Sequence, residues 1–417
     1  MRLEVCVRND SKCVNCGFCT EFVQCPSPEA CIGCLSCYRG CPYEAIEIIE
    51  DKSHRRRIKI VVDGQEYEVP ERITVKKALE IIGYSISKFP EENKLFFPCE
   101  VGACYSCVMM INKEPQRACI TPVQDGMVIE TRISDDYVPV RPIHGPEGHP
   151  VGGVGTPWWM KERGRYIEVA IWAAGCNLSC PQCQNYHITY DSKSKAYTPK
   201  EAALILTWAR KKYGVDRMAI SGGEPTINRK WLVEFFKELR NLNKDDKARF
   251  HLDTNATILT KDYIDELVLE AGVTDIGPDL KGLNVETFMQ ITGISDKELA
   301  ERYLETSWKA VRYIADQYYP EHVFMGIGIP YNKAFISLDE IYKMGLRIAS
   351  INPEIQVCVL DYFPAFRRRD IERPSYWEML RVKRTLEDAG CKTVIAVSYT
   401  HLRAHETEAD LVCRLLL

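Results

Sequence analysis

The 417-residue sequence has no long apolar run. No stretch approaches the ~18 consecutive apolar residues of a membrane span, so no membrane association is expected. It has no leader-like start, because Met1 to Val7 are too few and too charged for a signal peptide. It also lacks an excess of one charge. Lys and Arg number 54 against 58 Asp and Glu, and a net charge of −4 argues against nucleic acid or an anionic membrane as partner. Together these absences predict a soluble, cytoplasmic protein of about three domains, at roughly 150 residues each. Cysteine, by contrast, is abundant, at 19 residues. Short spacings in a chain without a leader point to metal rather than to disulfides. Fifteen of the 19 fall into four clusters, leaving Cys6, Cys358, Cys391 and Cys413 as expected small apolar or surface residues.

One cluster is short of a ligand. Gly175-Cys176-Asn177-Leu178-Ser179-Cys180-Pro181-Gln182-Cys183 carries three cysteines and no fourth in range. Structural zinc takes four ligands, and an ordinary iron–sulfur cluster four thiolates. Three thiolates on a four-iron cluster leave one iron open to a small ligand.

The other clusters are complete. Residues 1–53 carry Cys13-x2-Cys16-x2-Cys19-x5-Cys25-Pro26 and Cys31-x2-Cys34-x2-Cys37-x3-Cys41-Pro42. The second run resembles the bacterial two-cluster ferredoxin pattern residue for residue, and the first has a longer final gap. That resemblance implies two [4Fe-4S] clusters, one on Cys13, Cys16, Cys19 and Cys41, the other on Cys31, Cys34, Cys37 and Cys25. Zinc knuckles are the alternative, but CxxCxxC packs three thiolates on one loop and suits a cubane better. A basic run, His54 to Lys59, looks like a solvated linker. In residues 58–133, Asp63-Gly64 between two apolar runs marks a hairpin, and Thr74 caps a short helix to Ile82. A loop with Cys99-x4-Cys104-x2-Cys107 and then Cys119 follows. This spacing resembles the plant-type [2Fe-2S] loop of β-grasp ferredoxins, most like the two-iron domain of succinate dehydrogenase-type subunits. Structural zinc is again the alternative.

Residues 134–165, rich in Pro and Gly, are expected to be a linker or draped loop, with His144 and His149 solvated and Trp158 and Trp159 anchoring it. From Tyr166, strand and helix patterns alternate through six βα units to Ala396. The helices are expected near residues 199–213, 229–242, 261–271, 297–318, 337–350 and 376–389. The fold class is therefore a multidomain α/β protein: a partial (βα)6 TIM-type barrel, residues 166–396, preceded by a small bacterial-ferredoxin-like domain and a β-grasp domain. Val397 to Thr407 resembles a translated sequencing adapter, so residues 397–417 are expected to be non-native.

In such barrels ligands bind at the carboxyl ends of the strands. The expected strands are followed by the three-cysteine loop, Ser221-Gly222-Gly223-Glu224-Pro225, Asp253-Thr254-Asn255, Asp279-Leu280-Lys281, Pro330-Tyr331-Asn332 and Asp361. The cysteine loop and Gly222-Gly223-Glu224 resemble the radical S-adenosylmethionine (radical SAM) superfamily. The resemblance implies that Cys176, Cys180 and Cys183 hold a third [4Fe-4S] cluster whose open iron binds S-adenosylmethionine. Glu224 and the carbonyls of Gly222 and Gly223 would accept from the methionine ammonium. Asp253-Thr254-Asn255 and Asp279-Leu280-Lys281 look like the rim segments of glycyl-radical-enzyme activases such as pyruvate formate-lyase activating enzyme. This carries Asp253, Asn255 and Lys281 over as cofactor contacts, with an Asp279–Lys281 rim salt bridge as the alternative. Gln182 stands where the family has an aromatic or apolar adenine contact, leaving Tyr186 as its substitute. Ala256 stands where the activases have Gly. The expected activity is reductive cleavage of S-adenosylmethionine to a 5′-deoxyadenosyl radical for hydrogen abstraction, in an anaerobic setting. The N-terminal clusters would relay electrons from an external low-potential donor. The target would be a glycyl radical enzyme, another protein or a small molecule. The rival reading is a non-catalytic iron–sulfur electron-transfer subunit.

Overall fold

The computed structural model describes residues 3–161 and 166–397; the expected non-native tail lies outside the described residues apart from Val397. The chain forms two compact units. Unit one holds Met1–Ile143, Ala173–Asn177 and Asn185–Thr198; unit two holds His144–Trp172, Leu178–Gln184 and the chain from Pro199 onward. Cys176 therefore belongs to unit one, and Cys180 and Cys183 to unit two.

In unit one, β1 (Glu4–Arg8), α1 (Phe18–Glu21), α2 (Ser36–Gly40) and β2 (Ile46–Glu50) surround the first eight clustered cysteines. β1 and β2 pair antiparallel from Glu4↔Glu50 to Arg8↔Ile46, tying the ends of this region together. Its core is small: Cys41, Ala45 and Ile46, with Cys6, Cys13, Cys37 and Tyr38 packed against it. A core so rich in cysteine buries little hydrocarbon, so the region depends on what its thiols bind.

Next come β3 (Arg57–Val62), β4 (Gln65–Pro70), α3 (Val75–Ile81), the two-residue strands β5 (Ile86–Ser87) and β6 (Leu95–Phe96), then β7 (Val108–Ile111), β8 (Glu114–Arg117) and β9 (Met127–Glu130). The sheet order is β4-β3-β9-β7-β8, with β3 and β9 parallel. The expected hairpin is present. Asp63 and Gly64 both take positive φ, 49° and 84°, which a two-residue turn between right-twisted strands requires. Thr74 caps α3 by accepting from Lys77 N at 3.0 Å. The apolar face of α3, Val75, Ala78 and Leu79, packs on Ile60, Val62, Ile111 and Ile129.

The barrel elements follow. They are β10 (Arg141–His149), β11 (Glu168–Ala173), α4 (Tyr186–Thr189), β12 (Ala196–Tyr197), α5 (Pro199–Tyr213), β13 (Arg217–Gly222), α6 (Arg229–Leu242), β14 (Arg249–Thr254), α7 (Lys261–Asp265), β15 (Asp275–Pro278), α8 (Val285–Thr292), α9 (Lys297–Gln317), β16 (Phe324–Tyr331), α10 (Leu338–Ile351), β17 (Gln356–Asp361), α11 (Tyr376–Asp388) and β18 (Val394–Ala396). The sheet of unit two runs β10-β11-β13-β14-β15-β16-β17-β18. β13 through β18 are parallel neighbours in chain order. The six expected strands are all present, and β18 adds one more. The 261–271 helix is α7 continued by a single π turn, Glu266–Glu270. Side-chain caps fix several helix starts: Asn228 accepts from Trp231 N, and Ser337 from Glu340 N.

The Pro/Gly-rich stretch departs from expectation. Part of it, residues 141–149, is β10, a strand rather than a linker. In unit one, its first residues pair antiparallel with β12, Arg141↔Tyr197. Within unit two, residues 152–156 lie against β14, β15 and β16. Gln356, on β17 and 1% exposed, donates to the carbonyls of Val154 at 3.2 Å and Thr156 at 3.0 Å. Glycine on both sides makes room. A Cβ on Gly153 would meet Asp253 Oδ2 at 2.2 Å, and one on Gly326 would meet Val154 O at 2.3 Å. The glycines thus serve close packing rather than freedom. Trp159 does anchor the segment, edge-on to Phe324 at 5.2 Å. Trp158 does so through its backbone N–H to Gln356 Oε1 at 3.0 Å. His149 is not a solvated loop residue. Its Nδ1 lies 2.9 Å from Glu168 Oε1.

Candidate functional site

In unit two the second strand of the expected order, β13, ends at Gly222, and Glu224 caps the short turn Pro225–Ile227 that follows. Glu224 is fully buried. Its Oε1 accepts from Thr226 N at 3.0 Å, Thr226 Oγ1 at 2.6 Å and Thr254 Oγ1 at 2.7 Å. Its Oε2 accepts from Asn255 N at 2.6 Å. Burial pushes this carboxyl up from its ordinary value, and the donors pull it back. Two of the donors are backbone N–H groups, which cannot accept a proton, so the surroundings fit an ionised, acceptor-only carboxylate. Glu224 therefore ties the end of β13 to the end of β14.

At the end of β14, Asn255 Oδ1 accepts from Thr257 N at 3.0 Å and Thr257 Oγ1 at 2.6 Å. Ala256 sits in the left-handed region at φ 55°. That conformation explains why a glycine would be favoured here. Asp253 lies toward the barrel interior, beside Gly153, Gly277 and His251. Its Oδ1 is 3.1 Å from His251 Nε2, an ion contact off the hydrogen-bond line. His251 Nδ1 in turn lies 3.1 Å from Glu168 Oε2. Burial alone would push His251 toward neutrality. Asp253 and Glu168 outweigh it and hold the imidazolium, with the pKa pushed up to about 10. Glu168 is correspondingly held well below the carboxylate range: burial opposes this, and His251 and His149 win. Arg217 completes the network, donating to Asp275 Oδ1 at 2.9 Å. After β15, Lys281 pairs with Asp279 at 3.1 Å, the salt bridge that was the alternative to a cofactor contact.

The cysteine loop is anchored by elements that sequence reasoning did not use. Ser179 N donates to Thr292 O at 2.9 Å, at the end of α8. Gln182, fully buried, donates from Nε2 to Ile291 O at 3.0 Å, and its Oε1 has no partner among the described residues. Arg367 and Arg368 N–H groups donate to Pro181 O at 2.9 and 3.1 Å. Burial pushes the Cys180 thiol up, while Lys281 and a hydrogen bond from the Tyr362 hydroxyl pull it down. A glycine after Thr292 was the available signal for α8 ending here. Gly293 has φ 68°, and a Cβ on it would meet Ser179 O at 2.4 Å. In unit one, Gly175 N donates to Thr189 O at 3.1 Å. Tyr186 packs on Phe18 at 5.3 Å and on His187 at 5.8 Å.

The remaining thiols also gather. Among the described residues, no three His, Cys, Asp or Glu side chains converge on a single ion-sized point. Cys99 and Cys104 lie within hydrogen-bond reach of one another, as do Cys107 and Cys119, all four buried. That donor set fits a two-iron cluster, which spreads four thiolates over two irons. In the first fifty residues, Cys19 feels Cys16, Cys37 and Cys41 electrostatically, and Cys34 feels Cys25 and Cys37. These neighbours include the crossed partners that the ferredoxin pattern implies. Cys6, expected to be an ordinary stray, is not one. Its N–H donates to Cys31 Sγ at 3.3 Å, and its thiol reaches Cys31 and Cys37.

The chain carries a radical SAM domain and ferredoxin-type iron–sulfur domains. Residues 171–341 match the family model of the radical SAM superfamily. Residues 55–133 match that of a 2Fe-2S iron–sulfur cluster binding domain, and residues 26–47 that of a 4Fe-4S binding domain. A probable GTP 3',8-cyclase of Methanococcus aeolicus is 33% identical over 135 residues, 32% of this chain and 43% of that protein. An uncharacterized iron–sulfur protein of Methanocaldococcus jannaschii is 51% identical over 67 residues, 16% of this chain and 13% of that protein. The chain spans less than half the length of either curated relative. Among solved structures, HydG, a maturase of the [FeFe]-hydrogenase, aligns over 61% of this chain and 56% of its own, at 13% identity and a TM-score of 0.40. Among the described residues no helix is long and apolar enough to cross a membrane.

Proposed function

We propose that this protein is a radical SAM enzyme that cleaves S-adenosylmethionine reductively and uses the resulting radical on a substrate. One arrangement carries the reading: a loop with three cysteines and no fourth follows β11, and Gly222-Gly223-Glu224 closes the next parallel strand. Cys176, Cys180 and Cys183 would hold a [4Fe-4S] cluster, which would supply one electron and an open iron for reductive cleavage of S-adenosylmethionine to methionine and a 5′-deoxyadenosyl radical. The chain's own groups bind and orient. Gly222 and Gly223 present carbonyls to the methionine ammonium. Glu224 holds those carbonyls in place through Thr226, Thr254 and Asn255. Thr292, Ile291, Arg367 and Arg368 fix the loop that carries Cys180 and Cys183. Tyr186 is the candidate adenine contact, since Gln182 is committed to α8.

The N-terminal domains, with limits at 1–53 and 58–133, supply electrons to the domain at 166–396. Two further [4Fe-4S] clusters and one [2Fe-2S] cluster would be charged by an external low-potential donor in an anaerobic cytoplasm. The resemblance of Asp253–Asn255 and Asp279–Lys281 to activase rims supports a glycyl radical enzyme as target. The relatives named GTP 3',8-cyclase support a small molecule instead. Mixing the reduced, iron-loaded protein with S-adenosylmethionine and measuring 5′-deoxyadenosine and methionine tests the core reading. If neither forms, the protein is an electron carrier. A stable glycyl radical signal on a partner enzyme selects the activase reading, and its absence alongside turnover of a small molecule removes it.

A further inference from the structure

Within unit one, Cys104 touches the residue that precedes Cys176. A Cβ placed on Gly175 would fall 2.7 Å from Cys104 Cβ, 2.9 Å from its N and 3.0 Å from its Cα. Only glycine fits, for two reasons. The space is already filled, and Gly175 has φ +84°. From the Cys104 side chain to the Cys176 backbone there is therefore one van der Waals gap and one peptide bond. No side chain intervenes.

The contact is held from both sides. Arg117 Nη1 donates to Gly102 O at 2.7 Å and to Ser192 O at 3.1 Å. Its Nη2 donates to Gln24 Oε1 at 2.6 Å, and its guanidinium lies 4.5 Å from the Tyr105 ring centre. Arg117 so clamps the loop bearing Cys104, the segment after the three-cysteine loop and the first four-iron run together. At the far end of the same loop, Glu100, 7% exposed, pairs with Arg39 and Lys88, each at 2.7 Å, and with Lys76. Arg39 lies between Cys37 and Cys41. The Cys99–Cys107 loop is thus tied at one end to the four-iron region and at the other to Gly175.

We infer that the two-iron centre is the immediate electron donor to the cluster held through Cys176, with Cys104 and Gly175 as the crossing point and the four-iron centres upstream. The inference rests on the radical SAM reading above. One electron moves and no proton. The two-iron centre goes from reduced to oxidised, the cluster at Cys176 from oxidised to reduced, and the four-iron centres, themselves reduced by an external low-potential one-electron donor, restore the first. A competing route exists. Phe18, stacked on Phe22 at 5.0 Å, meets Tyr186 at 5.3 Å, linking the first four-iron run to the segment after Cys183. That route is less direct. Neither Phe18 nor Tyr186 is a ligand, and Tyr186 lies three residues beyond Cys183 in sequence. Cys104 is itself a ligand, and Gly175 adjoins one.

Power saturation of the two-iron EPR signal tests this in the full-length, iron-loaded, dithionite-reduced protein. A nearby paramagnetic cluster speeds relaxation, so the signal should saturate several-fold more easily in Cys176→Ala/Cys180→Ala/Cys183→Ala than in the parent. In Cys13→Ala/Cys16→Ala/Cys19→Ala the fast relaxation should persist. The opposite pattern, with coupling lost only in the second variant, overturns the inference in favour of the Phe18–Tyr186 route. A measurement without mutation guards against misfolded variants. Added S-adenosylmethionine alters only the cluster with the open iron, and the relaxation of the two-iron signal should change with it; an unchanged signal overturns the inference. 5′-Deoxyadenosine is scored separately. Coupled clusters without cleavage sink the proposed function but leave this contact standing. Cleavage without coupling sinks this inference alone.

Discussion

Replacing Glu224 by glutamine separates two roles for this residue. The carboxylate accepts from Thr226 N, Thr226 Oγ1 and Thr254 Oγ1 on one oxygen and from Asn255 N on the other. An amide has one oxygen. If that oxygen replaces Oε1, the NH2 faces the Asn255 N–H across a contact that was 2.6 Å. If it replaces Oε2, the NH2 faces the Thr226 N–H at 3.0 Å. Either way a buried backbone donor is left unpaired, at a cost of about 1–3 kcal/mol. The surviving bonds lose their charge assistance, roughly another 1 kcal/mol each, since bonds to charged groups are about twice as strong. Relief of the buried charge offsets part of this. A net cost of about 2–4 kcal/mol is expected. If half of it is felt at the Gly222 and Gly223 carbonyls, S-adenosylmethionine binds roughly 5- to 30-fold more weakly, at about 1.4 kcal/mol per decade. The assay pairs equilibrium dialysis of the iron-loaded protein with urea unfolding followed by fluorescence of the buried Trp231 and Trp308. Both affinity and the barrel midpoint should fall together in Glu224→Gln. Affinity lost at full stability would refute the positioning role and make Glu224 a direct contact. No change in either would refute both.

Other perturbations address neighbouring features. His251 has its pKa raised from 6.5 to about 10, so the stability it contributes is complete below about pH 6.5 and is lost as pH rises through about 10. At about 1.36 kcal/mol per pH unit this is several kcal/mol. The stability gap between the parent and His251→Gln should therefore narrow from pH 7 to pH 10 in urea titrations, and a widening gap would contradict the charged network. Ala256→Gly relieves a left-handed alanine, worth about 1 kcal/mol, and gives up a buried methyl worth about 0.8 kcal/mol. Urea midpoints within error of the parent are expected, and a loss beyond about 2 kcal/mol would mean that the methyl packs in a way not accounted for. Glu100 is held down to about 2: burial opposes this, and Arg39, Lys88 and Lys76 outweigh it. Its contribution is present above about pH 4.5 and is lost as pH falls through about 2. Glu100→Gln strands three cations around a buried amide and should cost about 3–5 kcal/mol. Removing a negative charge beside Cys99 should also raise the two-iron reduction potential in an EPR-monitored titration, and a lowered potential would refute the assignment.

Much of the barrel was legible because its signals are local. Helical periodicity located α5 and α6 with the boundaries observed, and α9, α10 and α11 to within a residue or two. The strand–helix alternation sufficed for a parallel sheet. Cysteine spacing is equally local, since a cluster loop must place its thiolates within a few residues of one another. What escaped were contacts between distant segments. Helix α8 is only two turns long and has no side-chain cap, yet its last residues hold Ser179 and Gln182. Cys6 carried no spacing pattern, because its neighbours Cys31 and Cys37 lie far from it in sequence. The strand at residues 141–149 escaped for the same reason. Glycines at 153 and 155 read as freedom in one dimension, whereas in three they lie against Asp253, His251 and Gly277, and Val154 between them lies against Gly326 and Gly328.

This bears on how Asp253 is understood. At the end of a barrel strand, an aspartate in a motif shared with a cofactor-binding rim reads as a ligand-facing group. Here its neighbours are Gly153, Gly277 and His251. A group that shares a protonated histidine with buried Glu168 already has its countercharge inside the protein. Turning it outward would leave the imidazolium with one carboxylate instead of two and would vacate the space that Gly153 packs against. Asp253 and Glu168 together hold the His251 imidazolium against its burial, so turning Asp253 outward would cost part of that stabilisation. Asp253 is therefore held at the interior end of β14 by its contacts with His251 and Gly153.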